Sequence, residues 1–379
     1  MTADDMSYVA QLVESRAMGE FRRSLEGLFG AESHLFAVDH ENRWLVEVFG
    51  EAVHEMDDEL RRSLLSMANH TRGELTWVPV PERRQPTFAI AVPTDSADVS
   101  YVERLARVIA PALADQRHRF EEIEDRRRRA SMSVAAELQW DLLPPRSDRF
   151  ESWAVSGALE PAYDVAGDLF DYGWIGGALW AYSLDGMGHG TEATLTGSVA
   201  LAAIRNARHD GEGLDEQMRR ASAAVHEVWH GDRFVTGVAC RLDSAGVTYV
   251  NGGHEPVRRV TGTSVSLEDL EAELPLGVEP KVDYTVQERP ALEPGDGIAL
   301  FSDGVVGARS SAGQAFGADA LEATLVGSWT GHPPLTAQLM VETVMRHIGE
   351  ERVRDDITVM IVQSMDDRSV PAGNDTTDG

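Results

Sequence analysis

Cysteine is all but missing from this 379-residue chain: Cys240 is the only one. An internal disulfide and a cysteine-built zinc cluster are both excluded by that count. Lysine is equally scarce, with Lys281 alone among many arginines, which reads as base-composition bias rather than chemistry. No stretch reaches the ~18 consecutive apolar residues of a membrane-spanning helix, and the opening MTADDMSYVAQL has no basic segment running into an apolar one. A soluble, cytoplasmic protein is the expectation. Positive charge is short as well. A net charge of −29 argues against nucleic acid or an anionic membrane as the main partner.

What is present suffices for a full core. The chain is 42% hydrophobic, and its length suits two domains. No internal repeat is visible. Residues 1–100 read as mixed α/β: a helix over SYVAQLVESRAMGEFRRSLEGLFG, strands near SHLFAVD and RWLVEVF, a helix over DDELRRSLLSMANH, then strands near LTWVPV and TFAIAVP. From 101 to 143 the pattern turns helical, with Val102, Leu105, Ile109, Leu113, Phe120, Ile123, Val134 and Leu138 at three-to-four spacing. Pro111 should kink or restart that helix. In EEIEDRRRR, acids stand four residues before arginines, the favourable order for helix ion pairs, so the arginine run reads as a solvated face.

Beyond Pro144-Pro145 the texture changes to many strands joined by short turns such as DSAG, with helices inserted in blocks. Strands fall near WAVSGAL, DLFDYGW, ALWAYSLD, FVTGVACRLD, GVTYVNGG, VRRVTG, DYTVQE, GIALFSDG and DITVMIVQS. That order indicates an α+β layered domain of mainly antiparallel sheets over 144–365. The polar stretch from Asp366 to Gly379 reads as a disordered tail.

One hairpin raises a chemical question. In DLFDYGWIGGALWAYSLDGMG, Gly176-Gly177 separates two apolar runs, and paired glycines suit the primed turns that need positive φ. Counting outward from that turn sets Asp168 opposite Asp185. Opposed side chains on one face lie roughly 5 Å apart, where like charges destabilise. A shared proton or a cation must offset the repulsion. Further acids end strands at Ser302-Asp303-Gly304 and begin one at Asp355-Asp356. Asp-Gly is ordinary turn chemistry at any one of these sites. Gathered from several strand ends, oxygen-only ligands suit Mg²⁺ or Mn²⁺ rather than zinc or copper. Glycine lets backbone and water approach an ion closely, and its carbonyl can itself be a ligand.

DGMGHGTEATL adds a glycine loop entering a helix, a potential anion cradle. Its His189 reads as a solvent-facing spacer or as an acid. His254 in NGGHEP reads as a structural hydrogen-bonding group, or as one that approaches the site. Cys240 alternates into the core. Read as an adenine box, DGMGHG would need asparagines on a preceding helix, and none occurs between Thr71 and Arg205.

Taken together, AELQWDLLP, AYDVAGDLFD, DGMGHG, FVTG, VNGGHEP, LPLGV, LEPGDGIALFSDGV, FG and RDDITVMIV, in that order over 136–365, resemble the SpoIIE/RsbU branch of the metal-dependent (PPM, 2C-type) protein serine/threonine phosphatases. The resemblance implies an αββα sandwich with a two-metal centre at one end of its sheets. It implies that Asp185 bridges two Mn²⁺ or Mg²⁺ ions, that Asp303 and Asp355 complete one site, and that Asp168 with the Gly186 carbonyl completes the other. Asp185 and Asp168 would then be the catalytic pair, acting through a metal-activated water. Gly188, His189, His254 and Gln139 are candidate substrate-binding or regulatory residues. Ala166-Gly167 replaces the usual double glycine, and Ser302 the usual threonine; neither removes a carboxylate. The implied substrate is a phosphorylated protein, typically an anti-sigma-factor antagonist, and the alternative is a catalytically silent scaffold of the same fold.

Residues 1–100 are similar in element order to a GAF-type sensor. The apolar seam of a 101–143 linker helix would lie open to water on one small domain. Pairing with a second chain would bury it, giving a homodimer in which the first half sets the activity of the second.

Overall fold

The computed structural model describes residues 2–366 apart from 83–84, 96–97, 162, 165–166, 350–352 and 354. The expected tail, but for Asp366, and Ala166 lie outside the described residues. The chain divides into two compact units, Met1–Ser131 and Met132–Gly379.

The first unit contains α1 (Ala3–Glu14), α2 (Met18–Phe29), β1 (His34–Val38), β2 (Trp44–Glu47), β3 (Val53–Glu55), α3 (Asp58–Leu65), β4 (His70–Arg72), β5 (Leu75–Glu82), β6 (Gln85–Pro93), α4 (Val99–Arg119) and α5 (Glu121–Arg127). Its six strands form one antiparallel sheet in the order β3-β2-β1-β6-β5-β4. The single helix expected near residues 7–30 is two. Ser15 ends the first, its hydroxyl bonding back to the Gln11 carbonyl (2.7 Å), a local competition that serine offers helical backbone.

A greater departure concerns residues 101–143. The continuous linker helix expected there is three separate helices, and the unit boundary falls after Ser131 rather than at 100 and 143. Pro111 does not break α4; the break comes at Phe120. Val102, Leu105, Ile109, Leu113 and Ile123 are buried in the first unit's own core, with Leu12, Phe21, Leu35 and Phe88. These five residues leave no free apolar stripe between them, while Val134, farther along the expected seam, is 69% exposed. Gln116, which would have interrupted that seam, is fully buried and donates to the Leu12 carbonyl at 2.9 Å. The arginine run is not simply a solvated face. Arg127 is 8% exposed and donates to Val38 O at 2.8 Å, while Arg126 donates to the carbonyls of Glu47 (3.1 Å) and Gly50 (2.5 Å).

The second unit contains α6 (Val134–Leu142), β7 (Ser147–Phe150), β8 (Trp153–Glu160), β9 (Asp168–Ile175), β10 (Ala178–Gly186), α7 (Thr191–His209), α8 (Leu214–Trp229), β11 (Val235–Leu242), β12 (Val247–Gly252), β13 (Arg258–Thr261), β14 (Ser264–Leu267), β15 (Gln287–Arg289), β16 (Gly297–Phe301), α9 (Asp303–Gly307), α10 (Gly317–Ser328), α11 (Pro333–Ile348) and β17 (Ile357–Ser364). Two antiparallel sheets face each other, β15-β12-β11-β10-β9 and β14-β13-β16-β17-β8-β7. Phe170, Leu179, Val238, Cys240, Ile298, Leu300, Met360 and Val362 fill the space between them. α7 and α8 cover the first sheet through Leu201, Ile204, Met218 and Val225; α10 and α11 cover the second through Leu325, Met340, Val341 and Val344. This is the expected αββα sandwich. The strand read at DYTVQE shrinks to Gln287–Arg289, at a sheet edge.

Candidate metal centre at the strand ends

The β9–β10 hairpin carries the first two acids. Gly176 and Gly177 have φ of 63° and 72°, the left-handed values a two-residue primed turn requires. Pairing then runs without interruption from Ile175↔Ala178 to Asp168↔Asp185. The two carboxylates oppose each other as the turn dictates. β10 continues to Gly186, whose N–H donates to Gly167 O at 3.1 Å. A Cβ on Gly186 would lie 2.5 Å from the Ala193 carbonyl oxygen. Only glycine therefore lets the strand end against the first turn of α7. The loop between them exposes Gly188, at φ 90°, and His189.

The other sheet supplies the remaining acids. β16 ends at Phe301, and Asp303 begins α9 with its side chain exposed. Asp355 and Asp356 precede β17 and part ways, as successive residues of extended chain must. Asp356 is 2% exposed, and its Oδ2 accepts from Gly167 N (2.8 Å), Asp168 N (3.1 Å) and Gln139 Nε2 (3.2 Å). Gln139 Nε2 also donates to Asp168 O at 2.7 Å. Asp356 is thus a clasp that ties the second sheet to the start of β9. Gly304 makes room for it, since a Cβ there would lie 2.0 Å from Asp356 O. Asp355 stays exposed at the rim, in the fields of Asp303 and His189.

Electrostatics mark the cluster. Burial, then the charges of Asp185 and Asp356, drives the Asp168 carboxyl well above its ordinary range. Burial, then Asp303, Asp355 and Asp356, pushes Asp185 up to about 8. Asp356 rises to about 6, chiefly through burial. Asp355 and Glu255 are raised too, each by burial and then by Asp303. Glu255 was not anticipated from sequence; its one signal is its place beside His254 in the NGGHEP loop. Desolvation and mutual repulsion both penalise these charges, and a hard cation relieves both.

The donor set fits such a cation. Its side chains are carboxylates, and Asp168 Oδ2 and Asp356 Oδ1 are buried without a hydrogen-bond partner. Cys240 lies away in the inter-sheet core. Among the described residues, no three His, Cys, Asp or Glu side chains are already drawn together as a closed cage. The acids are neighbours on separate strand ends, which an ion would gather. His254 does not line this cluster. It is 6% exposed, and its ring bonds to hydroxyls within the sandwich.

Comparison with known proteins adds a family. The model for "Stage II sporulation protein E (SpoIIE)" matches residues 175–364, a span that takes in Asp185, Asp303 and Asp355 but not Asp168 or Gln139. The phosphoserine phosphatase RsbU of Bacillus subtilis is 27% identical over 188 residues, covering 49% of this chain and 56% of that protein. Protein IcfG of Synechocystis is 23% identical over 273 residues, covering 64% of this chain and 43% of that one. The chain spans about half the length of these curated relatives. Among solved structures, the SiaA-PP2C domain of Pseudomonas aeruginosa superposes with a TM-score of 0.52 at 21% identity, over 61% of this chain and 94% of that one. That likeness is one of fold.

Proposed function

The chain belongs to the SpoIIE family, and on that premise we propose that it is a metal-dependent protein phosphatase acting on phosphoserine or phosphothreonine. The observation that carries the proposal is the opposed Asp168–Asp185 pair, Asp168 buried and Asp185 half-buried, with Asp303 and Asp355 in the field of Asp185. A structural ion pair would need cations, and none is among the causes that shift Asp168 or Asp185.

In this reading Asp185 would help to hold both of two Mn²⁺ or Mg²⁺ ions. Asp303 and Asp355 would help to hold one, and Asp168 with the Gly186 carbonyl the other. Bound there, such ions neutralise developing phosphoryl charge and lower the pKa of a coordinated water. The chain's own residues do the placing. Asp356 and Gln139 hold the backbone of Asp168; Gly186 and Gly304 let their strand ends close on neighbouring backbone. Gly188 and His189 flank the open side, where a phosphorylated segment would enter.

The likeness to RsbU supports a phosphoprotein substrate, and we assign as the substrate class an anti-sigma-factor antagonist in a partner-switching pathway. The charge of −29 keeps nucleic acid and anionic membranes outside this reading. Among the described residues no helix is long and apolar enough to cross a membrane. The first unit is read as a GAF-type sensor on its element order. Because α6 reaches both Asp168 and Asp356 through Gln139, a shift of that helix would be felt at the acids, and regulation is assigned there.

Hydrolysis of p-nitrophenyl phosphate with and without Mn²⁺ tests the proposal. Turnover that requires the metal and vanishes with EDTA supports it. Full activity in EDTA refutes the metal centre. A folded protein with no turnover under any metal favours the silent scaffold.

A further inference from the structure

His254 is a buried ionisable group that the proposed chemistry leaves unused. Asn251, at 2% exposure, grips its backbone from both sides. The Asn251 Oδ1 accepts from His254 N–H at 2.8 Å, and Asn251 Nδ2 donates to the His254 carbonyl at 3.1 Å. So held, the ring enters the sandwich. Its Nε2 lies 3.0 Å from Ser183 Oγ and its Nδ1 3.0 Å from Thr236 Oγ1. A neutral imidazole donates at one nitrogen and accepts at the other, and hydroxyls can take either part, so both contacts are satisfied at once.

The identity of those partners matters more than their number. Ser183 stands two residues before Asp185 on β10, and so on the same face. Thr236 is the β11 residue directly opposite Asp185. The ring also feels the backbone of Phe301, the last residue of β16, two before Asp303. Burial keeps the imidazole neutral, pushing its pKa down to about 4. Its neighbour Glu255 lies in the field of Asp303. A histidine serving the core alone could find its partners anywhere in the sandwich. This one meets the strand ends of both sheets, immediately behind the acids.

We propose that His254 is a positioning residue for the metal centre, bracing Ser183 and Thr236 against the end of β16. It thereby sets the spacing between Asp185 on one sheet and Asp303 on the other. The proposal rests on reading the acidic cluster as a metal centre. Carboxylates that repel one another spread unless the strands beneath them are tied, and a spread set binds an ion less tightly. Groups that orient ligands from behind typically contribute about 10–100-fold to metal affinity.

The test is Mn²⁺ binding to the full chain by titration calorimetry without substrate, beside thermal unfolding in EDTA. His254→Ala should weaken Mn²⁺ binding by about 10-fold or more. His254→Gln, which can still donate and accept, should recover part of the loss. Ser183→Ala and Thr236→Val should each weaken binding by less, and neither should add its full effect on top of His254→Ala. A merely structural histidine would lower the unfolding temperature in EDTA and leave the Mn²⁺ Kd unchanged, which overturns the proposal. If His254→Ala does not fold, Thr236→Val decides, because it keeps the ring and the threonine's shape; an unchanged Kd there also overturns it. A wild-type chain that binds no Mn²⁺ overturns the metal-centre reading as well, whereas equal binding by wild type and variants overturns the positioning role alone.

Discussion

Replacing Asp185 with asparagine should stabilise the metal-free protein, and the gain should depend on pH. Burial and the surrounding acids raise the Asp185 carboxyl from an ordinary 3.8 to about 8. A raised folded-state pKa means the folded chain holds the proton more tightly than the unfolded one. The stability this contributes is fully present below about 3.8 and is lost as pH rises towards 8. At pH 7 the folded acid is still largely protonated, whereas the unfolded one has ionised. A gap of about 3 pKa units at 1.36 kcal/mol each makes the cost about 4 kcal/mol. Sharing of charge among Asp168, Asp303, Asp355 and Asp356 reduces that to about 2–4 kcal/mol. Asparagine has no proton to lose, so Asp185→Asn should match wild type near pH 4 and exceed it by that amount at pH 7. Amide exchange of the Ala178–Gly186 strand under graded urea, in EDTA, reads the local stability. Adding Mn²⁺ should close or reverse the gap, because a ligand at about 1,000 times its Kd stabilises wild type by about 4.1 kcal/mol and the variant by little. A variant that is less stable than wild type at pH 7 in EDTA, or a gain that is the same at pH 4 and pH 7, would refute the account of repelling, buried carboxylates.

The two neighbouring aspartates should separate cleanly. Asp355→Ala should leave urea stability within about 0.5 kcal/mol of wild type yet remove most phosphatase turnover. Asp356→Ala leaves the Gly167 and Asp168 N–H groups without their acceptor and should cost about 2–4 kcal/mol, while Asp356→Asn, which keeps an acceptor, costs far less; the reverse ranking of Asp355→Ala and Asp356→Ala in turnover would exchange their roles. Gly186→Ala should cost about 1–3 kcal/mol by driving a methyl into the Ala193 carbonyl, with metal affinity falling alongside in calorimetry. His254, neutral when folded down to about 4 but titrating near 6.5 when unfolded, should make the chain lose about 3 kcal/mol as pH falls through that window. In an NMR titration its ring signals should not shift above pH 5.

The hairpin was legible in the sequence because everything that determines it is local. Two glycines set the turn, a period of two sets the faces, and register carries both to Asp168 and Asp185 without help from the rest of the chain. The sandwich class was legible for a similar reason, since antiparallel strands with short turns leave few ways to hide two apolar faces. Residues 101–143 had the opposite outcome. Their helical spacing was real, but spacing does not say what covers the face, and as far as Ile123 the first unit's own sheet and helices did so, while Val134 lies exposed in the second unit. The burial of Gln116 and Arg127 was hidden for the same reason; their carbonyl partners, Leu12 and Val38, lie far away in the chain. The site divides along that line. Sequence by itself determined which acids end strands and which two must meet. Only the tertiary structure decided that Asp356 is spent on the backbone of Gly167 and Asp168 while Asp355 faces outward, that Glu255 joins the field, and that His254 lies beneath the acids rather than beside them. Each of those outcomes depends on two sheets packing face to face, and the contacts that packing creates leave no periodicity in the chain that makes them.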